Sequence, residues 1–570
     1  MGELSNYIRP YGCFIVLTVF IKLCGAVLEL FIPYFMEKIL GDTAQLQTVI
    51  LYGLAMLLCA AGCLAANIIA NRMSAQSSGK ITLALRHDLF GKLQSLSARQ
   101  LDELTVSSAQ SRLTSDTYNI NQLLARIQRL GIRAPILLIG GIAMMLTMDA
   151  GLALVLIALL PFIALIVYFV TKTSIPLYTQ QQTVLDQVVR VVQENITGIR
   201  VIKALSKTEY EKQRFQDVNQ ELTAVDQKAG SVTAITNPAA SLVLNLGLTL
   251  VVLVGAYRVN GGTSEPSVIV AFLQYFVMIL NAMLGVTRIF VMWSKGEASA
   301  LRVAEVLAMP EDLAVEEGAA PAENAPHIEF KNVTFSYTGV GANVKNLSFR
   351  LEKGQTLGIL GATGSGKSTI LNLLMGIYYP DEGEILIDGR NLRTIPKMEL
   401  RQLFGVVFQN DFVTEGTIGD NIRFFRNLPQ ADLDKAASDA QAAEFIAGKE
   451  GRMEAEVAVR GNNLSGGQKQ RLLIARALAA KPDILVLDDA SSALDYATDA
   501  KLRHALNQGY SGTTTVLVAQ RVSSLRHADL ILVLSDGCVI GSGDHAHLME
   551  TCAEYRIIAE TQMGAGEEVC

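Results

Sequence analysis

The sequence predicts two unlike halves: an all-α transmembrane domain of six helices, followed by an α/β domain built around a P-loop. Half of the 570 residues are apolar, mean hydropathy is +0.32, and the long apolar stretches all precede residue 295. Beyond that point short apolar runs alternate with charged and Gly-rich stretches, the texture of a soluble α/β domain. The chain is also too long for a single hydrophobic core. We therefore expect a membrane domain at 1–310, a linker at 311–326 and a soluble domain at 327–570.

Crossing a hydrocarbon core of about 30 Å takes roughly 20 helical residues. Stretches near 12–36, 49–71, 131–149, 151–171, 232–257 and 267–293 meet that requirement. Lys and Arg crowd the two long connections, among them Arg72, Lys80, Arg86, Arg112 and Arg133 in the first and Arg190, Arg200, Lys203 and Arg214 in the second. The short connections near 37–48, 149–151 and 258–266 hold almost none, so the positive-inside rule puts both long connections and both termini in the cytoplasm. Helical spacing persists through Leu83, Leu85, Leu89, Leu93 and Leu96, so the spans are expected to continue as helices into the cytosol.

Within the spans, Lys22 and Glu29 stand seven residues apart on one helix face, and Gln274 and Asn281 repeat that spacing. An ionisable group in lipid faces a partner or a water-filled cavity, so Lys22 and Glu29 are expected to pair or to line a pathway. Interhelical hydrogen bonding and substrate contact are equally open for Gln274, Asn281 and Asn245. The seven cysteines are odd in number and scattered, which is no disulfide framework. Cys59 and Cys63 lack nearby His or acidic ligands and are expected to be packing residues, not a metal site. A net charge of -6 argues against nucleic acid as a partner.

The soluble half carries the chemistry. Residues 355–360 read as a strand, Gly361-Ala-Thr-Gly-Ser-Gly-Lys-Ser368 as a turn, and 368–378 as a helix. This is the setting a P-loop requires. Gly361, Gly364 and Gly366 free the backbone to aim N–H groups at phosphate oxygens, with Ala362, Thr363, Ser365 and Thr369 completing the cradle. Lys367 is expected to neutralise the β- and γ-phosphates and Ser368 to ligate Mg2+. The apolar run 484–487 ends in Asp488, which suits a strand buried in a parallel sheet with a magnesium-side carboxylate at its end. Leu464-Ser-Gly-Gly-Gln468 is expected to open a helix over 469–480 inside an inserted helical subdomain around 410–480, giving a second phosphate-binding helix terminus.

These motifs resemble those of ATP-binding-cassette (ABC) exporters over nearly the whole chain. Ser465, Gly466, Gly467 and Gln468 match the signature, Gln409 the Q-loop (a metal-side and catalytic position), 492–495 the D-loop, and Tyr337 the aromatic A-loop that stacks on adenine. The segments 107–116 and 198–204 resemble the short coupling helices that dock on nucleotide-binding domains. The resemblance implies a multi-pass subunit of a bacterial inner membrane that binds ATP and Mg2+, pairs head to tail with a second half-transporter, and moves small amphipathic substrates through the bilayer. This chain departs from the family at two catalytic positions: Asp489 stands where glutamate is usual, and Gln520 where the switch histidine is usual. Both fall in one nucleotide site, which resembles the hydrolysis-deficient half of a heterodimeric multidrug-type exporter. A homodimeric lipid or peptide exporter and an ATP-binding regulatory subunit are the alternatives. Val459 is a third departure, replacing a glutamate common in the X-loop.

Overall fold

The computed structural model describes residues 2–41, 46–311, 316, 325–409, 412–490 and 492–563. It divides into two compact units, one of Met1–Gln94 and Thr105–Met309, the other of Ser95–Leu104 and Pro310–Cys570. Most of the expected linker at 311–326 lies outside the described residues.

The first unit is entirely helical. Among the described residues, five helices are long and apolar enough to cross a membrane: Ser5–Gly41, Leu46–Ser95, Val106–Met148, Ser241–Asn260 and Pro266–Met283. The fourth expected stretch, 151–171, falls inside the single helix Ala150–Thr197, whose apolar part is the shorter Ala150–Ile166. Asp149 starts that helix by accepting from the N–H groups of Gly151 and Leu152, a side-chain cap for otherwise orphan donors. Leu46–Ser95 runs for 50 residues, about 75 Å at the α-helical rise, far more than a bilayer core needs. Leu54, Leu57, Leu58 and Leu64 project outward from it, an apolar surface suited to lipid. The core of this unit gathers Leu137, Met145, Leu152, Phe272, Tyr275 and Phe276, and Tyr275 satisfies its hydroxyl on the Leu30 carbonyl at 2.6 Å.

The expected pairing of Lys22 with Glu29 does not form. Lys22 donates to the amide oxygens of Asn67 (2.6 Å) and Asn71 (3.2 Å), while Glu29 accepts two bonds from the Arg133 guanidinium, at 2.6 and 3.1 Å. Sharing one helix face sets direction only; the neighbouring helices supplied better-placed partners. Asn245 bonds its own Ser241 carbonyl at 2.8 Å. The first coupling segment also shifts. Residues 107–116 belong to the helical unit, where Arg112 pairs with Glu305 and Asp116 with Arg302. The short helix Ala98–Leu104 is instead the part that clusters with the soluble unit, through Tyr378–Asp102 and Arg99–Asp381 contacts. The turn expected at 198–204 is the helix Ile199–Ala204, with Val201 and Leu205 exposed.

The second unit holds a six-stranded sheet in the order Cys538–Gly543, Leu530–Ser535, Thr356–Gly361, Thr514–Val518, Ile484–Asp488, Phe404–Val407. All neighbours are parallel except the first pair. Every residue of Ile484–Asp488 is buried, as a central parallel strand covered on both faces must be. A four-stranded antiparallel sheet led by Ile328–Phe335 packs into the same core, which includes Phe330, Phe335, Leu357 and Ile370. A separate core around Leu433, Leu472, Ile474 and Leu478 holds the helices between 418 and 479.

Candidate nucleotide site and membrane cavity

The nucleotide site grows from the carboxyl ends of three adjacent strands, where open parallel sheets bind ligands. After Thr356–Gly361 the chain turns through Gly364 (φ +85°) and Gly366 (φ +102°) into the helix Lys367–Leu374. A Cβ on Gly366 would lie 2.6 Å from the Asn343 carbonyl, and one on Gly361 would lie 2.6 Å from that of Leu534. The loop therefore fits only without those side chains. The helix ends at Leu374, four residues before its expected end, because Gly376 turns left-handed (φ +64°) beneath Leu400. Lys367 donates to the carbonyls of Gly361 (2.8 Å) and Ala362 (2.7 Å), holding the ammonium over the loop. Burial pulls this lysine below its usual range, with Asp488 and Asp489 opposing.

Ser368 Oγ donates to Asp488 at 3.1 Å. Burial raises the Asp488 carboxyl above the usual range, the Ser368 bond opposes that shift, and the Asp489 charge adds to it. A hydroxyl oxygen held against a buried carboxylate suits a hard divalent cation such as magnesium, so the residues present fit the ion. Gln409 is exposed two residues beyond Phe404–Val407, and no hydrogen bond joins it to Ser368 or Asp488 among the described residues. Tyr337 lies edge-on to Phe335 (4.9 Å) and Tyr378 (5.0 Å), and its hydroxyl accepts from Asn372 on the P-loop helix at 3.2 Å. The aromatic ring is thereby fixed beside the loop.

Asp489 takes a left-handed backbone (φ +52°), which aspartate tolerates better than most residues. Its carboxylate accepts from Gln520 Nε2 at 3.2 Å. Burial raises its carboxyl too, against opposition led by Lys367. The two unusual residues thus bond each other. Gln562, near the end of the helix Ala553–Met563, donates to the Gln520 carbonyl and accepts from the Val522 N–H, both at 2.8 Å. Nothing in the sequence singled out Gln562, which acts from 42 residues away.

Ser465 caps the helix Gly466–Ala479 in a capping box: its hydroxyl accepts from the Gln468 N–H, and Gln468 Oε1 accepts from the Ser465 N–H at 3.1 Å. The helix accordingly starts three residues before the expected 469, with its two glycines in the first turn. Asp495 similarly caps Tyr496–Gly509 by accepting from the Thr498 N–H at 2.8 Å.

In the helical unit a cavity of about 650 Å³ is lined by Glu29, Arg133, Gln274 and Asn281 within apolar walls that include Leu137, Leu273 and Met278. The two seven-residue spacings seen in the sequence thus contribute three of its four polar groups. Arg133 supplies the fourth.

A helical membrane unit joined to a P-loop α/β unit, with a signature-type capped helix and a switch segment, defines an ATP-powered membrane transporter. Residues 12–283 match the ABC transporter transmembrane region family and residues 344–492 the ABC transporter family. The chain is 33% identical over 576 residues to an uncharacterized ABC transporter ATP-binding protein of Bacillus subtilis, covering 100% of both chains. It is 30% identical over 573 residues to a putative ABC transporter ATP-binding protein of Streptococcus pneumoniae, covering 99% of this chain and 97% of that one. A bacterial Atm1-family ABC exporter solved with ATP bound has the same fold, with a TM-score of 0.82 at 24% identity over 98% of this chain and 99% of that one. The chain belongs to the ABC transporter family: it is an ATPase-coupled transporter with the fold of an exporter.

Proposed function

We propose that this chain is one subunit of a heterodimeric exporter in a bacterial cell membrane, with its ATP-binding unit in the cytoplasm. It moves amphipathic or apolar compounds outward and binds ATP at a site that hydrolyses slowly. Lys367, the loop N–H groups and Tyr337 hold the nucleotide. Ser368 and Asp488, with Gln409, would hold Mg2+, which would supply positive charge against the phosphates.

The observation that carries the reading is the 3.2 Å bond between Gln520 and Asp489. Aspartate is one C–C bond, about 1.5 Å, shorter than glutamate, and here its carboxylate is occupied by an amide. Gln520 donates and accepts hydrogen bonds but has no titratable ring with which to move a proton. Asp489 is therefore poorly placed to orient an attacking water, while phosphate binding at the loop is untouched. The Ser465–Gln468 helix cap completes the site built on the second subunit's P-loop, where hydrolysis resets the transporter.

The test is phosphate release and nucleotide retention by the purified full-length chain. It should retain ATP and release phosphate slowly. Brisk turnover without a second kind of subunit, together with transport into liposomes, overturns the heterodimer reading in favour of a homodimeric exporter.

A further inference from the structure

The charges around the membrane cavity do not balance. Glu29 and Arg133, both in its wall, neutralise each other through two hydrogen bonds. Two further cations stand close by. Lys22, buried on the same helix as Glu29, rests on neutral amide oxygens, and Arg129, one helical turn before Arg133, donates to the Ser74 hydroxyl. Neither has a carboxylate partner among the described residues. Three basic side chains, Arg133 in the wall and Lys22 and Arg129 outside it, therefore accompany one carboxylate. In a low-dielectric setting that excess acts over several ångströms and favours an incoming negative charge.

The rest of the wall describes the body of the solute. Leu137, Leu273, Val277 and Met278 give an apolar lining, and the volume, about 650 Å³, suits a drug-sized molecule. Gln274 already donates to the Met36 thioether at 3.1 Å, and Asn281 makes no hydrogen bond among the described residues, which leaves an amide available. A cationic solute would find only Glu29, already held by a two-bond guanidinium fork. An anionic head finds Arg133, whose planar fork matches carboxylate or sulfonate oxygens.

We infer that this cavity takes an amphipathic organic anion, with its apolar body against the Leu273–Met278 wall and its acid head on Arg133 in exchange for Glu29. The inference rests on the export reading above and narrows its substrate class. Glu29 then serves as an internal stand-in for the solute's acid group, releasing Arg133 when the solute arrives.

The experiment uses the full-length chain in nanodiscs of zwitterionic lipid, with three dansyl-labelled undecyl probes that differ only in the head: a carboxylate, its methyl ester and a trimethylammonium. Trp293 is the only tryptophan in the chain and lies on the same helix as Gln274 and Asn281. It is about 18 Å beyond Asn281 by helical rise, so energy transfer from it reports occupancy. The carboxylate should bind at least about tenfold more tightly than either other probe, the factor expected of one charge-assisted hydrogen bond. Glu29→Gln removes the competing carboxylate and should tighten carboxylate binding. Arg133→Gln should bring the carboxylate to the level of the ester. Retention of ATP by each variant shows that it folds; should Arg133→Gln fail this control, Arg133→Lys should give intermediate affinity. A preference for trimethylammonium, or weaker carboxylate binding in Glu29→Gln, overturns the anion assignment. Ester binding equal to carboxylate binding also overturns it while leaving the export reading standing. Failure of all three probes to bind overturns both.

Discussion

On the slow-site reading proposed above, the bond between Gln520 and Asp489 ties the two positions together, so neither substitution alone is expected to raise hydrolysis far. Asp489→Glu extends the carboxylate by about 1.5 Å, but the longer side chain still meets the Gln520 amide, now 3.2 Å from the aspartate. Gln520→His restores an imidazole but leaves the carboxylate short. A misplacement of about 1 Å can lower a rate roughly a hundredfold, about 2.7 kcal/mol of barrier. Each single variant should therefore raise phosphate release by less than about tenfold, and the double variant by about a hundredfold. That excess over the product of the singles is the mark of coupled neighbours. The assay is single-turnover phosphate release from the full-length chain in nanodiscs at saturating Mg-ATP, with ATP affinity measured in parallel. A double variant within about threefold of the unmodified chain while binding ATP equally well, or two singles that simply multiply, refutes the coupling of Gln520 and Asp489.

Three further outcomes follow from the soluble unit. Gly366→Ala forces a Cβ onto the Asn343 carbonyl at a φ of +102°; it should cost at least about 1–3 kcal/mol of local strain and abolish retention of ATP in a filter assay. Gln562→Ala removes two hydrogen bonds to the switch segment, each worth about 0.5–1.5 kcal/mol, and should speed amide exchange at 520–522 with ATP affinity unchanged. His545 is held below its ordinary value of 6.5, chiefly by burial and then by Arg526. The folded state thus binds this proton less readily than the unfolded state, so its contribution to stability is present above pH 6.5 and shrinks as pH falls below it. Thermal melts from pH 7.5 to 5.5 should show that decline, and it should flatten in His545→Gln.

Sequence and structure agree most closely where function depends on local backbone. The P-loop and the signature must place glycines and a capping residue within a few positions of one another, so Gly361 to Ser368 and Ser465 to Gln468 could be read directly. The all-apolar strand before Asp488 was legible for a related reason, since burial on both faces leaves no alternation. Element ends were less legible: one left-handed glycine at 376 shortened a helix, and one capping box lengthened another. Partnerships across the fold were hidden. Arg133 meets Glu29 across 104 positions, and Gln562 reaches Gln520 from a helix with no recognisable motif. Spacing identified Lys22 and Glu29 as facing the same way but carried no information about the helices opposite them. The docking segment fell at 98–104 instead of 107–116 because helical periodicity runs through both.

Leu46–Ser95 contains no proline, whereas Pro33, Pro135, Pro161 and Pro176 sit inside other membrane helices. An unbroken hydrogen-bonded rod of this length behaves as a stiff beam: a tilt of five degrees at one end displaces the other by about 6.5 Å. The chain passes from the end of this beam almost directly into Ala98–Leu104, with only Leu96 and Ser97 between. A small tilt of this beam about one end is therefore expected to displace the other by more than a helical turn, and a proline introduced midway should dissipate it.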